Sequence, residues 1–505
     1  MKRILKLKTE LKNEIFNFFP IYNQLKLCKN SKSFQKKLSL SKEDYFYPLK
    51  YSEINFPLIH KYFLDIYNKS TKNKQFILKI YSDYLKKCNS NNKKIKISIE
   101  EDLEKVEEKN DIISIIEENS EKFILELTDS SVYGNEKAFK IYGILLTFSS
   151  IEEDPFSLFY LINKTVQLNN VKYIKAVSSP DHDYYESEFI ESIISNLNLM
   201  DNLIDLDFGQ YYLYEKHLDI LNEYFKKYKK LEKLSINFPF NFYNNNQDIY
   251  EKFYKIFDNL NIKKLKLYGQ FSIDMISDNI LKKIGNNLID LNLSPSKIDK
   301  FSLPENLKNL ESLCLKNKIF KNVLEDALKF IEKNQNLKKI KLKYNEKSQL
   351  NKEFIENFIN VLNGLKHLNK LSIIPIQKLE KFVVSNFCKI FSEQFNNKNL
   401  KNISMTINKN FNFDKFFMLK NVEIIDFDLG IKKHSFKLKF PKHVVSLKFK
   451  NIPFDLEFIE NLKLCGKNLI VIDINFQNNK DNDIINDLNN NCKKYFPIAK
   501  TVSLK

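Results

Sequence analysis

Residues 337–373 read LKKIKLKYNEKSQLNKEFIENFINVLNGLKHLNKLSI. The string L-x-x-L-x-L is spelled LKKIKL at 337–342 and returns as LNKLSI at 368–373. Its fourth and sixth positions lie two apart, so in an extended strand both side chains point to one face. The first position turns inward where the strand starts. Between the two copies, FIENFINVLNG at 354–364 carries apolar residues at helical spacing and ends on Gly364, which predicts a glycine C-cap.

The same string, with Ile, Val, Phe or Met allowed at the L positions, recurs on both sides. It stands at 203–208, 231–236, 262–267, 288–293 and 310–315, then at 400–405, 422–427, 444–449 and 469–474. Weaker copies flank the series at 171–176 and 499–504. Starts of the strong copies are 22 to 32 residues apart. The longer intervals hold amphipathic helices: VLEDALKFIEKN at 323–334 puts Val323, Leu324, Ala327, Leu328 and Ile331 on one side, and 248–260 is another.

This pattern resembles the leucine-rich repeat of the ribonuclease-inhibitor style, with a period in the same range. The resemblance implies an α/β solenoid: a horseshoe with a parallel sheet on its concave side and helices outside. The family usually places Asn three positions past the last L, where its amide bonds backbone groups of neighbouring turns. Asn345 and Asn408 fit, whereas Tyr211, Pro239, Lys318 and Ile376 do not. A broken ladder of that kind implies irregular curvature.

The chain has 505 residues, 43% hydrophobic and 13% aromatic, enough apolar surface for a large core or a repeat array. Four Ala, a single Arg (Arg3), 8 Gly and no Trp stand against abundant Lys, Asn, Ile and Phe, a bias toward residues with AT-rich codons. That bias bears on the net charge of +18. Basic proteins invite a nucleic-acid reading, but base readout leans on the planar fork of Arg, which Lys does not imitate. Nucleic acid is therefore an unlikely partner. No stretch approaches the roughly 18 apolar residues of a membrane span, and MKRILKLKTELKNE breaks every apolar pair with a charge, unlike a signal peptide. Six cysteines without CxxC spacing (28, 88, 314, 388, 465, 492) fit reduced, buried thiols in cytoplasm or nucleus.

Residues 5–38 read LKLKTELKNEIFNFFPIYNQLKLCKNSKSFQKKL, with Leu11, Ile15 and Phe18 at helical spacing. The segment resembles the F-box: Leu7, Glu10, Leu11, Ile15, Phe16, Phe19, Leu25, Ser31, Lys32 and Phe34 stand where that pattern wants them. Lys8 replaces its usual Pro, Asn30 its Val and Phe34 its Trp. The resemblance implies docking on a Skp-type adaptor of a cullin–RING ubiquitin ligase, with the repeats holding the substrate. The same residues also read as a helical cap. Expected domains are therefore 1–45, F-box-like; 46–165, a helical linker or cap; and 166–505, the solenoid. Within the linker, residues 100–129 carry twelve acids against three Lys, which reads as a solvated helix face.

In each repeat the third, fifth and seventh residues face out of the concave sheet. Over the six copies starting at 231 through 368, eight of 18 such positions are Lys, against 80 Lys in the whole chain; Asp290 is the one acid. They are Lys233, Lys264, Lys266, Lys316, Lys339, Lys341, Lys343 and Lys370, with Tyr268 among them. Flanking copies carry Asp205, Asp207, Asp426, Asp428 and Asp473 there instead. A basic stripe centred on Lys339, Lys341 and Lys343 implies an acidic or phosphorylated protein partner.

No phosphate-binding loop, dinucleotide fingerprint, nucleophile elbow or H-E-x-x-H is present. His182 sits between Asp181 and Asp183, and His434 and His443 are nine apart, without a third ligand in sequence. The sequence thus predicts no catalytic residue, cofactor or metal. It predicts a binding protein: a substrate-recruiting subunit of a ubiquitin ligase, a repeat scaffold or inhibitor without that link, or a non-specific Lys-based nucleic-acid binder.

Overall fold

The computed structural model describes residues from Lys94 to Leu504 with gaps, chiefly 99–108, 129–139, 148–161, 178–185, 239–246, 376–382, 430–443, 463–470 and 478–500. Before Lys94 only Leu78, Tyr81, Ser82, Leu85 and Lys86 are described, so the F-box-like residues Leu7 to Phe34 lie outside them. The described residues fall into two compact units, one up to Tyr211 plus Asp219–Leu231, the other Tyr212–Leu218 plus Glu232 onward.

The first unit carries β1 Ile95–Ser98, β2 Phe123–Thr128, β3 Gly143–Thr147, β4 Tyr173–Val177 and β5 Asp205–Asp207. Each pairs in parallel with the next. The second unit carries β6 Lys233–Asn237, β7 Lys264–Gly269, β8 Asp290–Pro295, β9 Ser312–Leu315, β10 Lys339–Tyr344 and β11 Lys370–Pro375. It continues with β12 Asn402–Ile407, β13 Ile424–Leu429, β14 Ser446–Pro453, β15 Val471–Gln477 and β16 Thr501–Leu504. These too are parallel, in strict chain order. The chain folds as an α/β leucine-rich-repeat solenoid.

The register follows the L-x-x-L-x-L string. Fourth positions stack as Leu234, Leu265, Leu291, Leu313, Ile340, Leu371, Ile403 and Ile425, and sixth positions as Ile236, Leu267, Leu293, Leu315, Leu342, Ile373, Met405 and Phe427. Both rows are buried. A slip of one residue would turn every one of them to water, so burial itself pins the register. At most strand starts the second-position carbonyl accepts two N–H groups of the next repeat, as Glu232 O does from Lys263 and Lys264 (2.7 and 3.0 Å) and Lys338 O from Asn369 and Lys370 (2.9 and 3.0 Å). This bend carries the first-position residue inward: Leu231, Ile262, Leu288, Leu310, Leu337 and Leu368 are all buried.

The helices used below are α1 Lys109–Glu118, α2 Glu186–Ser195, α3 Glu215–Lys227, α4 Gln247–Lys255, α5 Lys321–Lys333, α6 Lys352–Gly364 and α7 Val383–Gln394. The five apolar residues expected on one side of α5 are all buried. On α6 the outcome at Gly364 differs: it is the last helical residue, and the cap is Leu365 in extended conformation, its N–H on Leu362 O. The next strand must start at once, and an extended exit serves that better than a left-handed one. At its other end Asn351 caps α6, accepting from Phe354 N at 2.9 Å.

The segment 46–165, expected as a helical linker, contains β1, β2 and β3. Residues 141–146 read IYGILL and satisfy the repeat string in full, while 94–99 (KIKISI) and 122–127 (KFILEL) miss only its first position, where both have Lys. Lys94 lies over the Tyr142 ring, 3.9 Å from its centroid, instead of entering the core. The acidic block is likewise not one helix face. It supplies α1, whose Ile112, Ile115 and Ile116 are buried, and all of β2. Its acids pair locally, Glu118 with Lys86 (3.5 Å), Glu126 with Lys96 (2.9 Å) and Glu121 with Lys172 (3.0 Å). The hydrogen bond and charge of Lys172 hold the Glu121 carboxyl below the usual range.

A ladder does run between repeats, but not at the family's position. The residue just before the first L is Asn in nine of the thirteen copies: 170, 202, 261, 287, 309, 336, 399, 421 and 468. In five repeats its amide donates to the carbonyl two residues before the preceding repeat's first L. Asn202 reaches Asn169 O (2.8 Å), Asn309 reaches Asn286 O (2.7 Å), Asn336 reaches Lys308 O (3.0 Å) and Asn399 reaches Lys366 O (2.7 Å), with Asn421 likewise on Lys398 O. Where Lys230 takes the place, its ammonium reaches the equivalent Asp201 O (3.3 Å). The chain bends at every such point, and each bend leaves a carbonyl that needs a donor.

Candidate partner-binding face

With the fourth and sixth rows buried, the third and fifth rows take the opposite face of β6 to β11; its lysines stand out from it, while the small fifth-row residues Ser235, Cys314 and Ser372 are buried between them. The third row runs Lys233, Lys264, Asp290, Ser312, Lys339, Lys370, and the fifth Ser235, Lys266, Asn292, Cys314, Lys341, Ser372. Lys264, Lys266, Lys339 and Lys370 are exposed, and Lys341, Lys316 and Tyr268 half-buried. Lys343 falls in β10 opposite Ile374. The register thus places Lys233, Lys264, Lys266, Lys339, Lys341 and Lys370 in the third and fifth rows, and it sets Lys233 beside Lys264 and Lys339 beside Lys370.

Like charges directly opposite on neighbouring strands are unfavourable by a few tenths of a kcal/mol to about 1 kcal/mol. The row next to them shows the alternative. At second positions Lys263 pairs with Glu232 (2.6 Å), Lys338 with Glu311 (2.5 Å) and Lys401 with Glu423 (3.8 Å). On the open face, among the described residues, none of Lys264, Lys339, Lys341 or Lys370 makes an ion pair. Lys316 is engaged otherwise, its ammonium 5.8 Å from the centroid of the Tyr268 ring.

Further along, the face compensates itself. Asp426 and Asp428 stand beside Lys448 and Lys450 in register, and Lys448 reaches Asp473 at 3.9 Å. In the first unit Asp207 is buried and accepts from Gly209 N (2.9 Å). Tyr173 lies between Gly143 and Asp205, its hydroxyl pushed well above the usual phenol range by burial first, then by Asp207 and Asp205. Positive charge without an ion pair remains at Lys264 in β7, which stands beside Asp290 in register, and at Lys339, Lys341 and Lys370 in β10 and β11.

Cys314 and Cys388 are buried thiols outside any disulfide. His182, His434 and His443 lie outside the described residues. Among the described residues no group of His, Cys, Asp and Glu is placed to hold a metal, and no helix is long and apolar enough to cross a membrane.

No protein-family model and no curated protein matches the chain. Among solved structures it is similar to an internalin from Listeria monocytogenes, at 12% identity over 78% of this chain and 88% of that one, TM-score 0.30. It is also similar to CroV588, described as a circular leucine-rich-repeat protein, at 13% identity over 79% of this chain and 58% of that one, TM-score 0.24. The fold assignment rests on the register and on the alternation of buried and open rows.

Proposed function

We propose that the protein is a recognition module that holds an acidic segment of another protein on the open face of β6 to β11. One observation carries this reading: the second-position lysines Lys263 and Lys338 are matched by acids of the adjacent repeat, and Lys264 and Lys339, one residue on, make no ion pair among the described residues. A row of cations left this way raises the association rate of acidic partners and supplies specificity. The test is binding of a labelled Glu-rich peptide to the full chain and to the Lys339→Glu/Lys341→Glu/Lys343→Glu variant. Loss of binding in a folded variant supports the reading; unchanged binding makes the stripe ordinary solvated surface.

The finer proposal is that residues 5–38 deliver the bound protein to a ubiquitin ligase through a Skp-type adaptor and cullin. What supports it is the F-box resemblance and its order ahead of the repeats. Capture of the adaptor by the full chain, and its loss in Leu11→Asp/Ile15→Asp, is the expected result. Capture by neither leaves a scaffold or inhibitor without a ligase link.

A further inference from the structure

The open-face lysines are not evenly spread. Strand β7 supplies Lys264 and Lys266; β10 and β11 supply Lys339, Lys341 and Lys370. The two strands between them, β8 and β9, put Asp290 and Ser312 in the third row and Asn292 and Cys314 in the fifth, with no cation in either row. Lys316 falls between the clusters only in the seventh row, and its contact with Tyr268 draws its charge toward β7. Two basic points therefore flank a neutral-to-acidic gap.

We infer that this face reads two anionic groups, set about four residues apart, on one extended segment of a partner protein that crosses the strands. The inference rests on the acidic-partner reading above and adds the spacing. Neighbouring strands lie about 4.8 Å apart, so the three steps from β7 to β10 span roughly 14 Å. An extended chain advances about 3.4 Å per residue, so four residues cover that span. At the β10–β11 end, Lys339 and Lys370 are register partners, and an anion between them turns a repulsive pair into a clamp. A phosphorylated side chain suits that clamp, because it brings nearly two charges and three acceptor oxygens to one point. A nucleic acid fits less well. Its phosphates follow one another continuously and would lie against Asp290 in the gap.

The experiment uses the full chain and fluorescein-labelled 12-residue Gly/Ser peptides. Each carries two phosphoserines separated by one, four or eight positions, at equal net charge, and binding is read by fluorescence anisotropy. The expected result is that the four-residue spacing binds at least about tenfold more tightly than the other two, because the second contact becomes intramolecular. Lys264→Ser/Lys266→Ser and Lys339→Ser/Lys341→Ser, each with an unchanged melting temperature, should each erase that advantage and leave the three peptides alike. Equal affinities for all spacings, still lost on charge reversal, overturn the two-point reading and leave the acid-binding face. No binding of any peptide by folded protein overturns both. Tighter binding of a single-stranded oligouridylate of matched charge, falling steeply with salt, overturns a protein as the occupant.

Discussion

Asn397 shows how a single amide holds neighbouring repeats together. It is buried, donates to Leu362 O (2.8 Å) and Leu365 O (2.9 Å), and accepts from Asn399 N (2.9 Å). Removing it leaves buried carbonyls without donors, each loss on the order of 1–3 kcal/mol. Asn397→Ala should lower stability by about 2–3 kcal/mol in urea unfolding. Asn397→Asp should be at least as damaging, since a carboxylate offers these carbonyls no N–H. Gly143 is as constrained in another way: a Cβ there would meet Tyr173 Cβ and Cδ1 at 2.6 Å and Tyr173 O at 2.7 Å. Gly143→Ala should therefore destabilise the first unit by roughly 1–3 kcal/mol, whereas Gly364→Ala, with open space around it, should be neutral or mildly stabilising.

Tyrosine ionisation belongs at the same scale. Burial raises the Tyr254 hydroxyl from its ordinary value near 10 to about 12, and it raises Tyr173 and Tyr224 as well. The folded state thus keeps the proton that the unfolded chain gives up first. Stability from these groups is intact below pH 10; that from Tyr254 is lost as pH rises from about 10 through 12, and that from Tyr173 and Tyr224, which are raised further, goes on falling above it. Alkaline titration followed by tyrosinate absorbance should show these three ionising together with loss of helical circular dichroism, not before it.

Among the elements, helix-to-helix packing is made largely of phenylalanine. Phe358 of α6 meets Phe387 of α7 with centroids 6.2 Å apart, and Phe387, Phe391 and then Phe395, just past the end of α7, stack at 5.6 and 4.6 Å. Phe391 is fully buried. Phe391→Ala should cost about 3–5 kcal/mol, read from the urea midpoint, because the helices on either side limit collapse of the cavity. Strands were legible because their period-two alternation is local and strict. The first three were harder to see: Lys at the first position of β1 and β2 breaks the string, though IYGILL at 141–146 keeps it. The Asn ladder is spelled at a fixed place before most strands, yet its purpose depends on a carbonyl 23 to 33 residues earlier in chain order.

At the scale of the whole molecule, every described strand pairs, within its unit, only with its chain neighbours, and stability in such an array is a sum of repeat and nearest-neighbour terms. A lesion should stay local. Hydrogen exchange on Phe391→Ala should show protection lost first in β11 and β12 and least in β15 of the same unit. Global melting that strips all strands equally would contradict that picture. Binding belongs to this scale too, since no repeat holds more than two or three of the open-face lysines. Affinity for an acidic peptide should weaken with salt, and by less than the steep loss expected of a phosphate-tracking nucleic-acid binder.

From residue order alone came the repeat, its register and the face each side chain takes, because alternation and helical period are short-range and burial enforces them. Tertiary structure decided what lies beside what. It set Lys339 against Lys370 and Lys263 against Glu232, residues about thirty apart in sequence whose neighbourhood exists only once strands stack. Charge content was visible in the chain; whether a charge is paired or left open to a partner depends on the strand next door.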